Sequence, residues 1–287
     1  MKTYPGPQPE RLLQEVSNSP GSQCRAVKRN FLGIELSVVS RAALIEIFRD
    51  SMRARSKLTI SFLNPNIAVY AHRNHEVMQF MNSFDVVLPD GIGVVWGARF
   101  LGIPVPERLG NDDIGADIFN VCASEGYGNF FFGSKPGVVE RAAANLQRSF
   151  PRLRISGTLH GYWFDLSPGN PDSCKSQDNE AILQQVNTSR ADVLWVGLST
   201  PLQQRWVYEN RHRIDANVVI TSGGYLDHLA ERVEWYPPLF YHLRLLWLYR
   251  LLREPRRLWR RYSIEMIVFA SLLMKGKTRS SQNGQSL

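Results

Sequence analysis

Asp90 stands in Leu88-Pro-Asp-Gly-Ile-Gly93, directly after the apolar run Asp85–Leu88. If that run is a strand, the carboxylate sits where an α/β sheet binds its ligands, beyond a strand's C-terminal end. A carboxylate there can serve as a general base, a metal ligand or an acceptor for a sugar hydroxyl. Gly91 and Gly93 would let a substrate come close. The plainer alternative is an Asp that caps the helix starting near Ile92. Gly91-x-Gly93-x-x-x-Gly97 misses the dinucleotide fingerprint by one residue, and no acidic residue ends a strand at the required distance. A nicotinamide dehydrogenase is therefore rejected.

Further polar groups fall at predicted strand ends. In Leu63-Asn-Pro-Asn66, Asn66 reads as a helix cap, and Asn64 reads equally as a structural residue or a contact for a ligand hydroxyl. In Glu107-Arg-Leu-Gly-Asn-Asp-Asp113, Arg108 can hold a phosphate or carboxylate bidentately. Asp112 or Asp113 would cap the next helix, and adjacent aspartates match a sugar-transferase metal site poorly. Three turns follow apolar runs: Phe132-Gly-Ser-Lys-Pro-Gly137, Gly197-Leu-Ser-Thr-Pro201 and Thr221-Ser-Gly-Gly224. Gly133, Gly197, Gly223 and Gly224 would let backbone approach a phosphate, or they simply end strands. None of these turns is a P-loop, no G-x-S-x-G elbow occurs, and His72 and His75 lack a third zinc ligand.

The run Arg244–Arg261 holds seven arginines and one acid, Glu254, interleaved with Trp247, Tyr249 and Trp259. Arg with aromatic rings suits a membrane interface or a pyrophosphate. A solvated basic helix is the alternative. Nucleic acid is set aside as a partner, because no nucleic-acid motif accompanies the charge.

Placing these residues requires strands and helices in alternation. Predicted strands are Leu58–Leu63, Asp85–Leu88, Asn129–Phe132, Leu153–Leu159, Asp192–Val196 and Asn217–Ile220. Predicted helices are Arg41–Arg53, Ile67–Asn82, Ile92–Phe100, Ile114–Ser124, Val138–Ser149, Glu180–Ser189 and Leu202–Arg211. The alternation gives an α/β fold, a mainly parallel Rossmann-like sheet with flanking helices. We divide the chain into a disordered arm (1–30), an α/β body (31–230), a helical, membrane-associating appendage rich in Arg and aromatics (231–274) and a disordered tail (275–287), with Leu166–Asp178 as a surface loop. With 34 Lys and Arg against 26 Asp and Glu, the net charge of +8 favours a polyanionic partner. Three widely spaced cysteines argue against a disulfide scaffold. The N-terminus lacks a signal-peptide apolar region, and Ile264–Met274 is too short to span a bilayer.

In this order and spacing the segments resemble the WecG/TagA/CpsF glycosyltransferases (glycosyltransferase family 26). Further matching stretches are Gly197-Leu-Ser-Thr-Pro-Leu-Gln-Gln-Arg-Trp206, Gly223-Gly-Tyr-Leu-Asp227, Glu254-Pro255 and Arg260-Arg-Tyr262. The resemblance implies Asp90 as catalytic base and Arg108 as an active-site arginine. It ties Gln203, beside Pro201, to nucleotide-sugar binding, and places Asn64, Asp112 and Asp227 in the substrate site. Arg250, Arg257 and Arg260 are implied to dock on the membrane and close over the phosphates. The implied reaction is inverting and metal-independent, without a cofactor. It moves a hexose from a UDP-sugar to a polyprenyl-diphosphate-linked sugar, for a bacterial exopolysaccharide or other surface polymer. The enzyme would sit peripherally on an anionic membrane, at the cytoplasmic face of the inner membrane, with self-association open. Within the family the sequence looks most like xanthan-type glucosyltransferases, so glucose is the expected sugar. N-acetylmannosamine and N-acetylmannosaminuronate are the alternatives, as are a non-catalytic membrane or polyanion-binding module and an enzyme with a soluble substrate. Departures from the family pattern are Phe62 for a frequent Thr, Gln204 for Glu, Leu246 for Glu, and an altered stretch from Arg232 to Pro238.

Overall fold

A computed structural model of the chain describes residues 26–165, 173–174, 176–231, 248, 251–252, 259 and 263–283. It opens with a hairpin, β1 (Val27–Phe31) and β2 (Ile34–Val38), paired antiparallel. The turn is Leu32-Gly33, both at positive φ (54° and 93°), the conformation that matches the twist of two tightly joined strands. This strand lies inside the stretch expected to be a disordered arm, so the ordered body starts earlier than residue 31. The alternating Phe31, Ile34 and Leu36 are fully buried, which accounts for the order.

After α1 (Arg41–Ala54) come β3 (Leu58–Leu63), α2 (Pro65–Arg73), α3 (His75–Asn82), β4 (Val86–Pro89), α4 (Ile92–Phe100) and α5 (Asn111–Glu125). Then follow β5 (Gly128–Gly133), α6 (Val138–Ser149), β6 (Arg154–Leu159), the short antiparallel pair β7 (Phe164–Asp165) and β8 (Ser173–Cys174), and α7 (Ser176–Thr188). The last part holds β9 (Val193–Gly197), α8 (Leu202–Asn210), β10 (Val218–Thr221), α9 (Tyr225–Glu231) and α10 (Ile264–Asn283). The predicted helix Ile67–Asn82 is in fact two, because the Asn74 side chain accepts from the N–H groups of Glu76 and Val77 and restarts the helix. The expected loop Leu166–Asp178 is shortened by β8 and by the start of α7, and residues 166–172 lie outside the described ones.

Six strands form one parallel sheet in the order β4-β3-β10-β9-β5-β6. Side chains alternate between two buried layers: Phe130, Phe132, Leu194 and Val196 pack on one face, Phe131, Val193 and Trp195 on the other. Burial on both faces is why these strands read as continuous apolar runs. Because all six run the same way, their C-terminal ends share one edge. The chain steps from β3 outward to β4 and from β5 outward to β6, which opens a crevice at that edge.

Helix α10 lies against α2 and α4. Phe269 and Leu272 are buried, and the Phe269 ring meets Phe31 at 6.2 Å. Lys277 Nζ donates to the Phe100 carbonyl at 3.0 Å, and the helix continues to Asn283. The tail expected to be disordered from 275 is thus helical through most of its length, anchored by these contacts. Among the described residues no helix is long and apolar enough to cross a membrane. Most of the Arg-rich run, including Arg250, Arg257 and Arg260, lies outside the described residues.

Candidate active site

The backbone N–H of Asp90 donates to Leu63 O at 2.8 Å, extending the β3–β4 ladder by one bond and setting the carboxylate at the sheet edge. Asp90 does not cap α4. The cap position is Gly91, at φ 93°, and it makes no side-chain cap bond. The Leu109 N–H donates to Pro89 O at 2.9 Å, which draws the loop after α4 against the end of β4 and delivers Arg108. One guanidinium nitrogen of Arg108 then donates to Asp90 at 3.2 Å and to Asp112 at 2.6 Å, while the other pairs with Asp113 at 2.9 Å. Asp113 also accepts the Gly110 N–H at 2.7 Å, so it is the acid of the α5 start, whereas Asp112 belongs to the arginine.

Gly110 makes this cluster sterically feasible. A Cβ there would lie 2.7 Å from Arg108 Nη2, Asp112 Oδ1 and Asp90 Oδ1 alike. Burial is the largest influence on Arg108 and works to lower its pKa, but Asp112, Asp90 and Asp113 together hold it well above the usual arginine range. The arginine is therefore locked as a cation. Nearby, burial pushes the Tyr225 hydroxyl well above the usual phenol range, with Asp112 and Asp113 adding to the effect.

These groups border a cavity of about 830 Å³ at the C-terminal strand edge. Its lining includes Asn64, Asp90, Arg108, Asp112, Gly197, Pro201, Gln203, Gly223, Gly224 and Asp227, so most of the residues singled out from the sequence meet in one place. Several have structural duties as well. Asn64, and not Asn66, caps α2, its side-chain oxygen accepting the Ile67 N–H at 3.0 Å. Gln203 is buried and accepts the Gly223 N–H at 2.9 Å, which fixes the turn after β10. Asp227 accepts a short hydrogen bond from the Ser134 hydroxyl, joining α9 to the turn after β5.

Three expected contacts are not in the lining. A Cβ on Gly133 would meet the Gly197 carbonyl oxygen at 2.2 Å, so this glycine serves the close approach of β5 to β9. A Cβ on Gly93 would meet Pro65 Cγ at 2.9 Å, with Met266 of α10 behind it, so Gly93 serves helix packing. Gly91 supplies the backbone turn itself. Sequence reasoning also passed over lining residues: Asn111, Ser134, Lys135, Ser222 and Tyr225, and Glu265 of α10. The first five lie within motifs already marked out. Glu265 carried no local signal, since only the docking of α10 brings it to the cavity. Among the described residues, no three His, Cys, Asp or Glu side chains are grouped so as to hold a metal ion.

The sequence model of the glycosyl transferase WecG/TagA/CpsF family matches residues 29–283. The chain belongs to that family. It is a glycosyltransferase, and the cavity lies at the C-terminal edge of its six-stranded parallel sheet. Among its relatives is the N-acetylglucosaminyldiphosphoundecaprenol N-acetyl-beta-D-mannosaminyltransferase of Bacillus spizizenii, 29% identical over 73% of this chain and 76% of that protein. A protein of the same name from Staphylococcus aureus (strain MW2) is 24% identical over 89% of this chain and 96% of its own length. These names carry N-acetylmannosamine, one of the alternatives drawn from the resemblance, and lend no support to the glucose preference or to the xanthan-type assignment.

Proposed function

We propose that this glycosyltransferase moves N-acetylmannosamine from its UDP-sugar to an N-acetylglucosaminyl-diphosphate polyprenol, with inversion. The names of its relatives support the transferred sugar and the acceptor. The observation that carries the mechanism is Asp90, a carboxylate at the mouth of the strand-edge cavity and oriented by an ion pair to Arg108. In inverting transfer one base removes the acceptor hydroxyl proton while the anomeric carbon is attacked from the face opposite the diphosphate. No glycosyl–enzyme bond forms, so one carboxylate suffices.

Arg108 is a positioning residue in this reading. Its guanidinium already serves three carboxylates, so the leaving diphosphate draws its stabilisation from elsewhere. Arg73 and Lys135 line the cavity, and Arg250, Arg257 and Arg260 are proposed to close over it from the segment outside the described residues. The same arginines would hold the enzyme peripherally on the anionic cytoplasmic face of the membrane, where a lipid-linked acceptor is found. We propose no metal and no cofactor.

The test is UDP release from a panel of UDP-sugars, with and without a short-chain polyprenyl-diphosphate-GlcNAc. Release that depends on the lipid and is fastest with UDP-N-acetylmannosamine is the expected result. Lipid-dependent release fastest with UDP-glucose would overturn the donor, and release indifferent to the lipid would overturn the acceptor.

A further inference from the structure

Of the nine large apolar side chains that stand exposed among the described residues, five lie on two helices in contact: Trp96 and Phe100 on α4, and Ile264, Ile267 and Met274 on α10. Ile267 is 72% exposed and Trp96 64%. Single exposed apolar residues are ordinary, whereas a cluster on one surface marks a contact.

The packing explains the cluster. Gly93 and Gly97 of α4 leave room for Met266, Phe269 and Leu273 of α10, so the two helices meet closely. Trp96 and Phe100 each follow one of those glycines by three positions and so flank the seam. On α10, Phe269 and Leu272 are buried against the body. At about 100° per residue, Ile267, Ala270 and Met274 fall on the opposite side of that helix. Farther along, Lys277 spans the seam, its ammonium 5.4 Å from the centre of the Phe100 ring and bonded to the Phe100 carbonyl. The two helices therefore share one outer face.

Its chemistry selects the partner. From Ser263 to Met274 the only ionisable side chain is Glu265, and that one lines the cavity. On α4 the only one is Arg99, whose guanidinium donates to the Val105 and Pro106 carbonyls. Lys275 and Lys277 stand exposed beyond Met274. An apolar field that includes tryptophan and is bounded by lysines is the pattern of a surface that lies in the headgroup boundary of a bilayer. Among the described residues no helix can cross a membrane, so such a face lies on the bilayer and does not span it. Position agrees with this partner. Glu265, in the first turn of α10, lines the cavity, so the face begins beside the cavity mouth. The tail of the proposed polyprenol acceptor stays in the bilayer. We propose that the outer face of α4 and α10, anchored by Trp96, Phe100, Ile267 and Met274, sinks into the headgroup boundary of an anionic membrane and sets the cavity mouth against it. This inference rests on the peripheral placement proposed above, but it makes the contact apolar and gives part of it to α4, a helix of the catalytic body.

The test uses the full chain and vesicles of phosphatidylglycerol and phosphatidylethanolamine. The wild type should sediment with the vesicles and stay bound in about 0.5 M NaCl, where contacts held by charge alone are screened. Trp96→Ser and Ile267→Ser should each lower the partition coefficient about tenfold, and the double variant about a hundredfold. Both side chains are exposed, so melting temperatures should stay within about 2 °C of wild type, and UDP release with a short-chain, water-soluble acceptor within about twofold. Vesicles with brominated acyl chains should quench the tryptophan fluorescence of the wild type, and quench it less in Trp96→Phe. Partitioning that is unchanged in the double variant, or lost in salt, overturns the face while leaving docking by the arginines standing. A wild type that binds no vesicle but self-associates, with association abolished in the double variant, gives the face to a second copy and overturns the inference. A wild type that neither binds nor self-associates overturns the membrane placement itself, and the face falls with it.

Discussion

Toward β4, the cavity is edged by Asp90, Arg108 and Asp112, formal charges joined by contacts of 3.2 and 2.6 Å. Toward β9 and β10 it is edged by turns: Gly197, Ser222 and Gly223, held by neutral bonds such as Gln203 to the Gly223 N–H at 2.9 Å. The charged side is a partly buried unit in which Asp90, Asp112 and Asp113 share Arg108, so removing the arginine takes away a cation that serves all three. The neutral side is backbone shape, kept by glycines at close approaches and by single hydrogen bonds. In the proposed mechanism proton transfer falls to the first and placement of the nucleotide to the second, so variants of the two sides should differ in kind as well as in size.

Asp90→Asn tests the charged side most severely. Turnover in the UDP-release assay should drop by about a thousandfold, while UDP affinity measured by calorimetry stays within about twofold. Undiminished turnover would take the base away from Asp90. Arg108→Gln should destabilise the fold by about 3 kcal/mol in urea titration at pH 7, because three neighbouring carboxylates lose their common cation. That loss should shrink as pH falls and the carboxylates are protonated. Arg108→Lys, which keeps the charge, should recover part of that stability, and a Lys variant as unstable as Arg108→Gln would show that charge is not what the cluster loses.

On the neutral side, Gly133→Ala should cost about 2–3 kcal/mol in the same urea titration, since its Cβ meets backbone that cannot swing away. A wild-type melting curve would show that the β5–β9 approach is looser than described. Gln203→Ala should have the smallest effect. It frees the 222–224 turn and should raise KM for the UDP-sugar about tenfold with kcat nearly constant. A fall in kcat with KM unchanged would blur the division between the two sides.

Much of this arrangement could be read from local pattern. Val138–Ser149 and Ile92–Phe100 have the helix bounds that their apolar spacing predicts, and β3 spans Leu58–Leu63 as expected. Asp90 was legible because a carboxylate directly after an apolar strand is a local fact. The hairpin β1–β2 was missed although Leu32-Gly33 marks its turn, since proline- and glycine-rich neighbours outweighed a short alternating run. Asn66 was expected to cap the helix, but Asn64 does so, accepting the Ile67 N–H, because the helix starts earlier than expected, at Pro65. Gly91, Gly93 and Gly133 were expected to face a substrate. A glycine that admits a ligand and one that admits a neighbouring backbone look the same in sequence.

The sequence by itself determined the order of strands and helices, the two buried faces of the inner strands, and the placement of polar residues at strand ends. All of these follow from spacings of two to four residues along the chain. Only the tertiary structure decided which polar groups meet. Ser134 and Asp227 are 93 positions apart, and Asn111 and Thr221 are 110 apart. Their contacts depend on the sheet order β4-β3-β10-β9-β5-β6, which inserts the last strands of the sheet between earlier ones. The docking of α10 likewise depends on Gly93 and Gly97 leaving room for Met266, Phe269 and Leu273. Local periodicity carries no information about such pairings, because the free energy that selects them comes from surfaces that do not exist until the sheet has assembled.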